Sequence, residues 1–281
     1  MSEIDLIQRL QRRVPVYSRQ LVAGIGDDCA IIRQRGSKTD LLVTTDMTIE
    51  GIHFRSNDEP EYVGRKALAR ALSDIAAMGG EPKFCFVSIG APSEAVVERL
   101  YAGLLPLARE TRTTIAGGDL SRADKTMIDI VLHGSVPRGK GLRRDTAQPG
   151  NSICLSGPLG RAASRGYRDM PEPRLQYGQN LRRRATACID VSDGLCIDLY
   201  RLCVASGVRA SILEVPIFTG ATIDQALYGG DDYELLFTLP RLPTRRGLLF
   251  VGRILAGSPA VTYNGERMEL RGHDHFRNQS D

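Results

Sequence analysis

The chain has 281 residues, 42% of them hydrophobic, enough for a packed core in two ordinary domains or one large one, which excludes general disorder. A net charge of +4 is too small to announce a nucleic-acid binder, and no apolar run reaches the ~18 residues of a membrane span. The bases are 32 arginines against 5 lysines, and the acids 20 aspartates against 13 glutamates, many of the aspartates beside glycine. Asp next to Gly makes turns by default, and it is also how a chain builds a hard-cation site.

The N-terminal MSEIDLIQRLQRR spaces Ile4, Ile7, Leu10 and Val14 as one face of a helix behind Ser2, a suitable N-cap. Its acids come early and its bases late, the reverse of a secretory signal. Strand-like 40–46 precedes a helix from Pro60 to Met78, started by proline and stopped by Gly79-Gly80. A strand at 83–92, a helix from Ser93 to about Arg112, and strands at 113–118 and 126–136 complete the first half. Residues 137–151 are rich in Gly, Pro and Arg without periodicity, and the domain junction is expected there, dividing the chain into 1–137 and 138–281. The second half resumes with strand 152–157, then an Arg-rich stretch at 161–184. Strand 185–193, helix 194–206, strand 209–215, a short helix near 221–227, strand 233–239 and several short strands follow. Strands separated by helices predict an α/β protein. The six cysteines form no CxxC pair, so buried free thiols in a reducing, cytoplasmic setting are expected.

Six acidic clusters stand out: GIGDDCA with Asp27 and Asp28, Thr44-Thr45-Asp46, Asp74 late in the long helix, Gly-Gly-Asp119, Asp190-x-x-Asp193, and Asp231-Asp232. Five of them fall at expected strand ends or turns, where α/β proteins gather ligand-binding groups. Each has an ordinary explanation. Asp193 could cap a helix, Asp74 could pair with Arg70 one turn earlier, and Asp27, Asp231 and Asp232 could be turn residues. Together they suggest convergence, and convergent carboxylates repel one another unless a divalent cation joins them. Carboxylate and hydroxyl oxygens suit Mg²⁺, which commonly bridges to substrate phosphates. The four histidines are too scattered for a zinc site, and no Walker, HRD, DFG or GxSxG motif is present.

The ordered series GIGDDCA, TTDMTIEGIHF, ALSDIAAMG, AGGD, GxxLRRDTAxPG, IDVSDGL, GGDDYELLF and RGHDHF, from residue 24 to 276, closely resembles the thiamine-monophosphate kinase family. That family belongs to the superfamily of aminoimidazole ribonucleotide synthetase. The resemblance implies a two-domain aminoimidazole ribonucleotide synthetase-like α/β (α+β) fold. Its N-terminal domain would bind ATP and Mg²⁺ and pair in a homodimer around a shared β-barrel. The implied reaction is ATP-dependent phosphorylation of thiamine monophosphate to thiamine diphosphate. By motif match, Asp28, Thr44, Thr45, Asp46, Asp74, Asp119, Asp190 and Asp193 look like ligands of several Mg²⁺ ions. Gly118, Asp119, Arg144 and Ser192 look like nucleotide contacts, and His53, Asp231 and His273 fall where the family binds thiamine phosphate. No catalytic acid or base is implied, because the acceptor phosphate, with a second pKa of about 6, is mostly dianionic at neutral pH. Neither a nucleic acid nor a membrane is expected as a partner.

Three features depart from the family pattern. The segment between Gly157 and Arg174 is short, Asn151 replaces an aspartate after Pro-Gly, and His273 stands where a large aromatic is usual. The alternative readings are another ATP-using enzyme of the superfamily and a nucleotide-binding regulatory protein without turnover. The N-terminus has no cysteine before Cys29, against a selenophosphate synthetase, and the chain ends without the C-terminal cysteine of the hydrogenase maturation factor.

Overall fold

The computed structural model describes residues 3–241 and 248–273. Ser2, the expected N-cap, and residues 274–276 of the last motif lie outside them. Two mixed sheets meet across one helix. The first sheet is built from β1 (Leu21–Ala23), β2 (Ala30–Ile32), β3 (Thr39–Ile49), β4 (Glu81–Ala91), β5 (Thr114–Arg122) and β6 (Met127–Pro137), in spatial order β1-β2-β3-β6-β4-β5. Only β4 and β5 run parallel. In β6 inward Ile128, Ile130, Leu132 and Val136 alternate with half-exposed Asp129, Val131 and His133, the period-two pattern of a sheet with one buried face.

Helices α2 (Pro60–Ala77) and α3 (Glu94–Glu110) cover that face, while α1 (Glu3–Arg13) has no buried residue. The α2–α3 approach is close enough to require glycine. A Cβ on Gly64 would fall 2.0 Å from the Leu100 carbonyl, and one on Gly103 would fall 1.7 Å from that of Glu61. Helix α2 is buried nearly all round. Leu68, Leu72 and Ile75 join the core of the first sheet, whereas Ala76 and Ala77 pack with Cys154, Cys188 and Phe237 of the second. Pro60 at its start and left-handed Gly79 just beyond its end bound it as expected.

The second sheet follows from β7 (Ser152–Leu155) onward. After α4 (Arg161–Ser164) and α5 (Leu175–Leu181) come β8 (Ala187–Asp190), α6 (Leu195–Ser206), β9 (Arg209–Ile212) and α7 (Ile223–Tyr228). Strands β10 (Leu235–Leu239), β11 (Leu249–Leu255), β12 (Ala260–Tyr263) and β13 (Glu266–Arg267) complete it, in order β13-β12-β9-β11-β7-β10-β8. All six cysteines are buried and free. Asn151 is buried, its Oδ1 accepting from the Gln148 N–H at 3.0 Å and Thr186 Oγ1 at 2.6 Å.

Two strand ends differ from expectation. β3 runs on to Ile49, because Met47, Thr48 and Ile49 continue the ladder opposite Asp129, Ile128 and Met127, so Asp46 lies inside the strand. β5 runs through Gly117-Gly118 to Arg122, so Asp119 is also inside a strand. The glycines there are not a stop signal. Gly118 lies opposite Val87, and a Cβ on it would fall 1.8 Å from the Val87 carbonyl.

Candidate active site

Thr44 and Asp46 share the face of β3 turned toward α2, since residues two apart on a strand point the same way. Thr44 donates from Oγ1 to Asp74 Oδ2 at 2.5 Å. Asp46 is held at two points by Arg70, from Nη2 to Oδ1 at 3.0 Å and from Nε to Oδ2 at 3.1 Å. The sequence-level pairing of Arg70 with Asp74 is therefore replaced: Arg70 engages Asp46, and Asp74 is left for the cluster below. Thr45 points to the opposite face and donates to Asp129 Oδ1 at 2.7 Å. Strand alternation thus separates its hydroxyl from Thr44 and Asp46.

Three carboxylates converge where the sheets meet. Asp28 comes from the glycine turn after β1, Asp74 from α2 and Asp190 from the end of β8, and one oxygen of each lies within 4.8 Å of the others. Ser73 donates to Asp190 Oδ2 at 2.6 Å. Arg144 donates to Asp28 from Nη2 to Oδ1 at 2.6 Å and from Nε to Oδ2 at 3.1 Å. Burial pushes the Asp74 and Asp190 carboxyls well above the usual carboxylate range, and the charge of Asp28 adds to both. Asp27 is pushed up to about 7, first by burial and then by Asp28. Asp46 is also raised by burial, against the opposing charge of Arg70. A donor set of carboxylates and hydroxyls, crowded enough to hold protons, fits a hard divalent cation such as Mg²⁺.

The Ser192–Gly194 turn is tied from below. Asp198 Oδ2 accepts the backbone N–H groups of Ser192, Asp193 and Gly194 at 3.1, 3.0 and 3.1 Å, while Arg201 donates to its Oδ1 at 2.7 Å. Asp193 is accordingly not the helix cap. Gly194 holds that position at φ +123°, and the Asp193 carboxylate is bound by Arg201. Burial raises Asp198 to about 6.

On the other side of the cluster, His53 Nδ1 accepts the Ile49 N–H at 3.0 Å, and the His53 carbonyl accepts from Lys66 Nζ at 3.0 Å. The same ammonium reaches Asp231 Oδ2 at 2.5 Å, and Tyr233 donates to Asp231 Oδ1 at 3.0 Å. The His273 N–H donates to the Asp193 carbonyl at 3.1 Å, and its ring centroid lies 6.4 Å from that of His53. His53, Asp231 and His273 line one cleft of about 640 Å³ with Asp46, Asp74, Asp190, Ser192 and Asp193, within the range of small-molecule sites. Asp232 turns away and accepts the N–H groups of Gly160 and Ala162 at 2.6 and 2.9 Å, so it serves the fold. Gly118 and Asp119 lie on exposed edge strand β5, outside the lining of this cleft.

Sequence reasoning passed over Lys66, Arg70 as partner of Asp46, Asp198 and Tyr233. For the first two a signal was present: Lys66, Arg70 and Asp74 recur every four residues, a polar stripe on an otherwise apolar helix. Asp198, an acid in the first turn of α6, reads from sequence as a dipole-favoured residue and gives no hint of its three backbone contacts.

A helix clamped between two mixed α/β sheets, with an acidic cluster at their junction, defines a chain of the AIR synthase-related class. Residues 26–136 match the family described as "AIR synthase related protein, N-terminal domain". The thiamine-monophosphate kinase of Salmonella typhimurium is 33% identical over 98% of this chain and 94% of its own length. Among solved structures, "AaThiL complexed with AMPPCP and TMP" superposes with a TM-score of 0.87 at 31% identity, covering 98% of this chain and 97% of that one. The thiamine-monophosphate kinase of Stenotrophomonas maltophilia K279a gives a TM-score of 0.76 at 33% identity, covering 95% and 98%. The chain belongs to the thiamine-monophosphate kinase family.

Proposed function

We infer that this protein transfers the terminal phosphoryl group of ATP to thiamine monophosphate, forming thiamine diphosphate and ADP. The observation that carries this reading is the union, in one cleft, of Asp74 and Asp190 from the acidic cluster with the His53, Asp231 and His273 group. Family membership supplies the substrates. An oxygen of the acceptor phosphate forms the new bond to phosphorus as the bridging oxygen of ATP leaves with ADP. The acceptor is already dianionic, so the chain needs to position charges rather than remove a proton.

Asp28, Asp74 and Asp190 would hold Mg²⁺, with Asp46, Asp119, Asp193 and Thr44 as further ligands for more than one ion. Thr45, which lines the same cleft while its hydroxyl donates to Asp129, is proposed with them. When bound, the metal supplies neutralisation of the two anionic partners and their alignment. Arg70 fixes Asp46, Ser73 fixes Asp190, and Asp198 fixes the backbone that carries Ser192 and Asp193. Gly118, Asp119, Arg144 and Ser192 are proposed for the nucleotide. His53, Asp231 and His273 are proposed for thiamine phosphate.

We also propose the domain limits 1–137 and 138–281, with the first domain pairing in a homodimer around a shared β-barrel. The support is the uncovered face of the first sheet, where Met47, Phe84, Phe86, Leu120 and Met127 stand exposed. A reducing, cytoplasmic setting accords with six buried free thiols, and no described helix is long and apolar enough to cross a membrane.

The test is incubation of purified protein with ATP, Mg²⁺ and thiamine monophosphate, followed by separation of products. ATP binding without formation of thiamine diphosphate would overturn the reading. Asp46→Asn and Asp119→Asn are each expected to abolish turnover while the folded circular-dichroism spectrum persists. Normal activity in either variant removes that residue from the metal site.

A further inference from the structure

The short segment between α4 and α5 reaches the cleft. Gly166, Tyr167 and Arg168 line it together with Asp74 and Asp190. The segment is braced at several points. Asp169 receives Arg161 Nε at 2.6 Å and Arg165 Nη1 at 3.2 Å, and both arginines lie against the Phe218 ring. Tyr62 donates its hydroxyl to the Tyr167 carbonyl at 2.9 Å, and the Tyr167 N–H donates to the Ala162 carbonyl at 2.8 Å.

Tyr167 sits in the left-handed region at φ +61°, directly after Gly166 at φ +65°. A bulky residue is strained there, where glycine or asparagine would sit at ease, and such strain gathers at functional sites. The other benzenoid rings lining the cleft are already committed. Phe54 and Tyr233 are 8% and 3% exposed, and Tyr228 carries the Arg271 guanidinium 4.0 Å from its ring centre. Tyr167, at 48% exposed, is the remaining benzenoid residue among those that line the cleft.

We propose that Tyr167 is a substrate-binding residue, providing the aromatic surface on which the cationic heteroaromatic ring of the acceptor stacks. This rests on the reading of thiamine monophosphate as that acceptor. A thiazolium ring is flat and permanently positive, so it is attracted both to a phenol face and to the Asp58 and Asp231 carboxylates that line the same cleft.

The experiment compares wild type, Tyr167→Phe, Tyr167→Leu and Tyr167→Ala in steady-state kinetics with ATP, Mg²⁺ and thiamine monophosphate. Phe should keep the KM for thiamine monophosphate within about twofold of wild type, while Leu and Ala raise it about tenfold with the KM for ATP unchanged. The contacts that brace Tyr167 run through its backbone, so Leu keeps them along with an apolar side chain and lacks the aromatic face, which separates stacking from a structural role. An Ala variant with wild-type KM overturns the proposal, as does Leu matching Phe, or Phe failing as badly as Ala. Should the wild-type protein form no thiamine diphosphate, the underlying function fails first, and the variants are not needed to see it.

Discussion

Lys66, buried on α2, places its ammonium 2.5 Å from Asp231 Oδ2, a carboxylate carried 165 residues later on the turn between α7 and β10. The same nitrogen holds the His53 carbonyl at 3.0 Å. One cation therefore ties together the two turns proposed for thiamine phosphate. Lys66→Met should cost about 3 kcal/mol in urea unfolding, the low end for breaking a buried pair because the Asp231 side chain is 21% exposed. The KM for thiamine monophosphate should rise in the same variant. Lys66→Met combined with Asp231→Asn should recover part of the stability and none of the affinity.

Asp190→Asn separates stability from function. The amide oxygen can still accept from Ser73, and the substitution removes an acid from a crowded cluster. Metal-free protein should melt at an unchanged or higher temperature, while turnover falls by roughly a hundredfold or more. A normal rate would exclude Asp190 from the metal site.

The response to pH has a definite sign. Asp27, raised to about 7, and Asp74 and Asp190, raised well above the usual carboxylate range by burial, bind protons more tightly when folded than when unfolded. These groups therefore make metal-free protein less stable as pH rises from about 4 through neutrality. Mg²⁺ competes with those protons, so the rise in Tm on adding it should be larger at about pH 8 than at about pH 5.5. Scanning fluorimetry with and without Mg²⁺ isolates the effect from carboxylates elsewhere, such as Asp40, whose pairing with Arg33 works in the opposite direction. An equal Mg²⁺ response at both pH values would contradict it.

Phe86→Asp places a charge in the middle of the exposed sheet face. Light scattering should show the wild type as a dimer and the variant as a monomer, with the first core intact, because Phe86 points away from it. A monomeric wild type would remove the dimer proposal.

Much of the fold was legible because its signals are local. Pro60 and Gly79-Gly80 bound α2, Ile128, Ile130 and Leu132 mark the buried face of β6, and the capping box of Thr222 and Gln225 starts α7. The strand limits at Asp46 and Asp119 were misread for a physical reason. Whether glycine ends a strand or lets one pass close to its neighbour depends on the partner strand, here the Val87 carbonyl against Gly118. In the site, Asp28, Asp74 and Asp190 stand out in sequence as acids in a glycine turn, late in a helix and at the end of a strand. Lys66 shares the four-residue spacing of Arg70 and Asp74, but its partner was not legible because a lysine on a long helix is ordinarily solvated.

What the sequence determined by itself is the inventory: the residues capable of binding Mg²⁺, their order, and the family they spell. Tertiary structure decided the partners. It gave Asp46 to Arg70 rather than leaving Arg70 to Asp74, turned Thr45 away from Thr44, set Asp232 on the backbone of α4, and brought Asp28 and Asp190 to Asp74. Residue types and short-range periodicity are written along the chain. The few ångströms that separate a shared metal site from a set of unrelated turns arise only when α2 is buried between two sheets far apart in sequence.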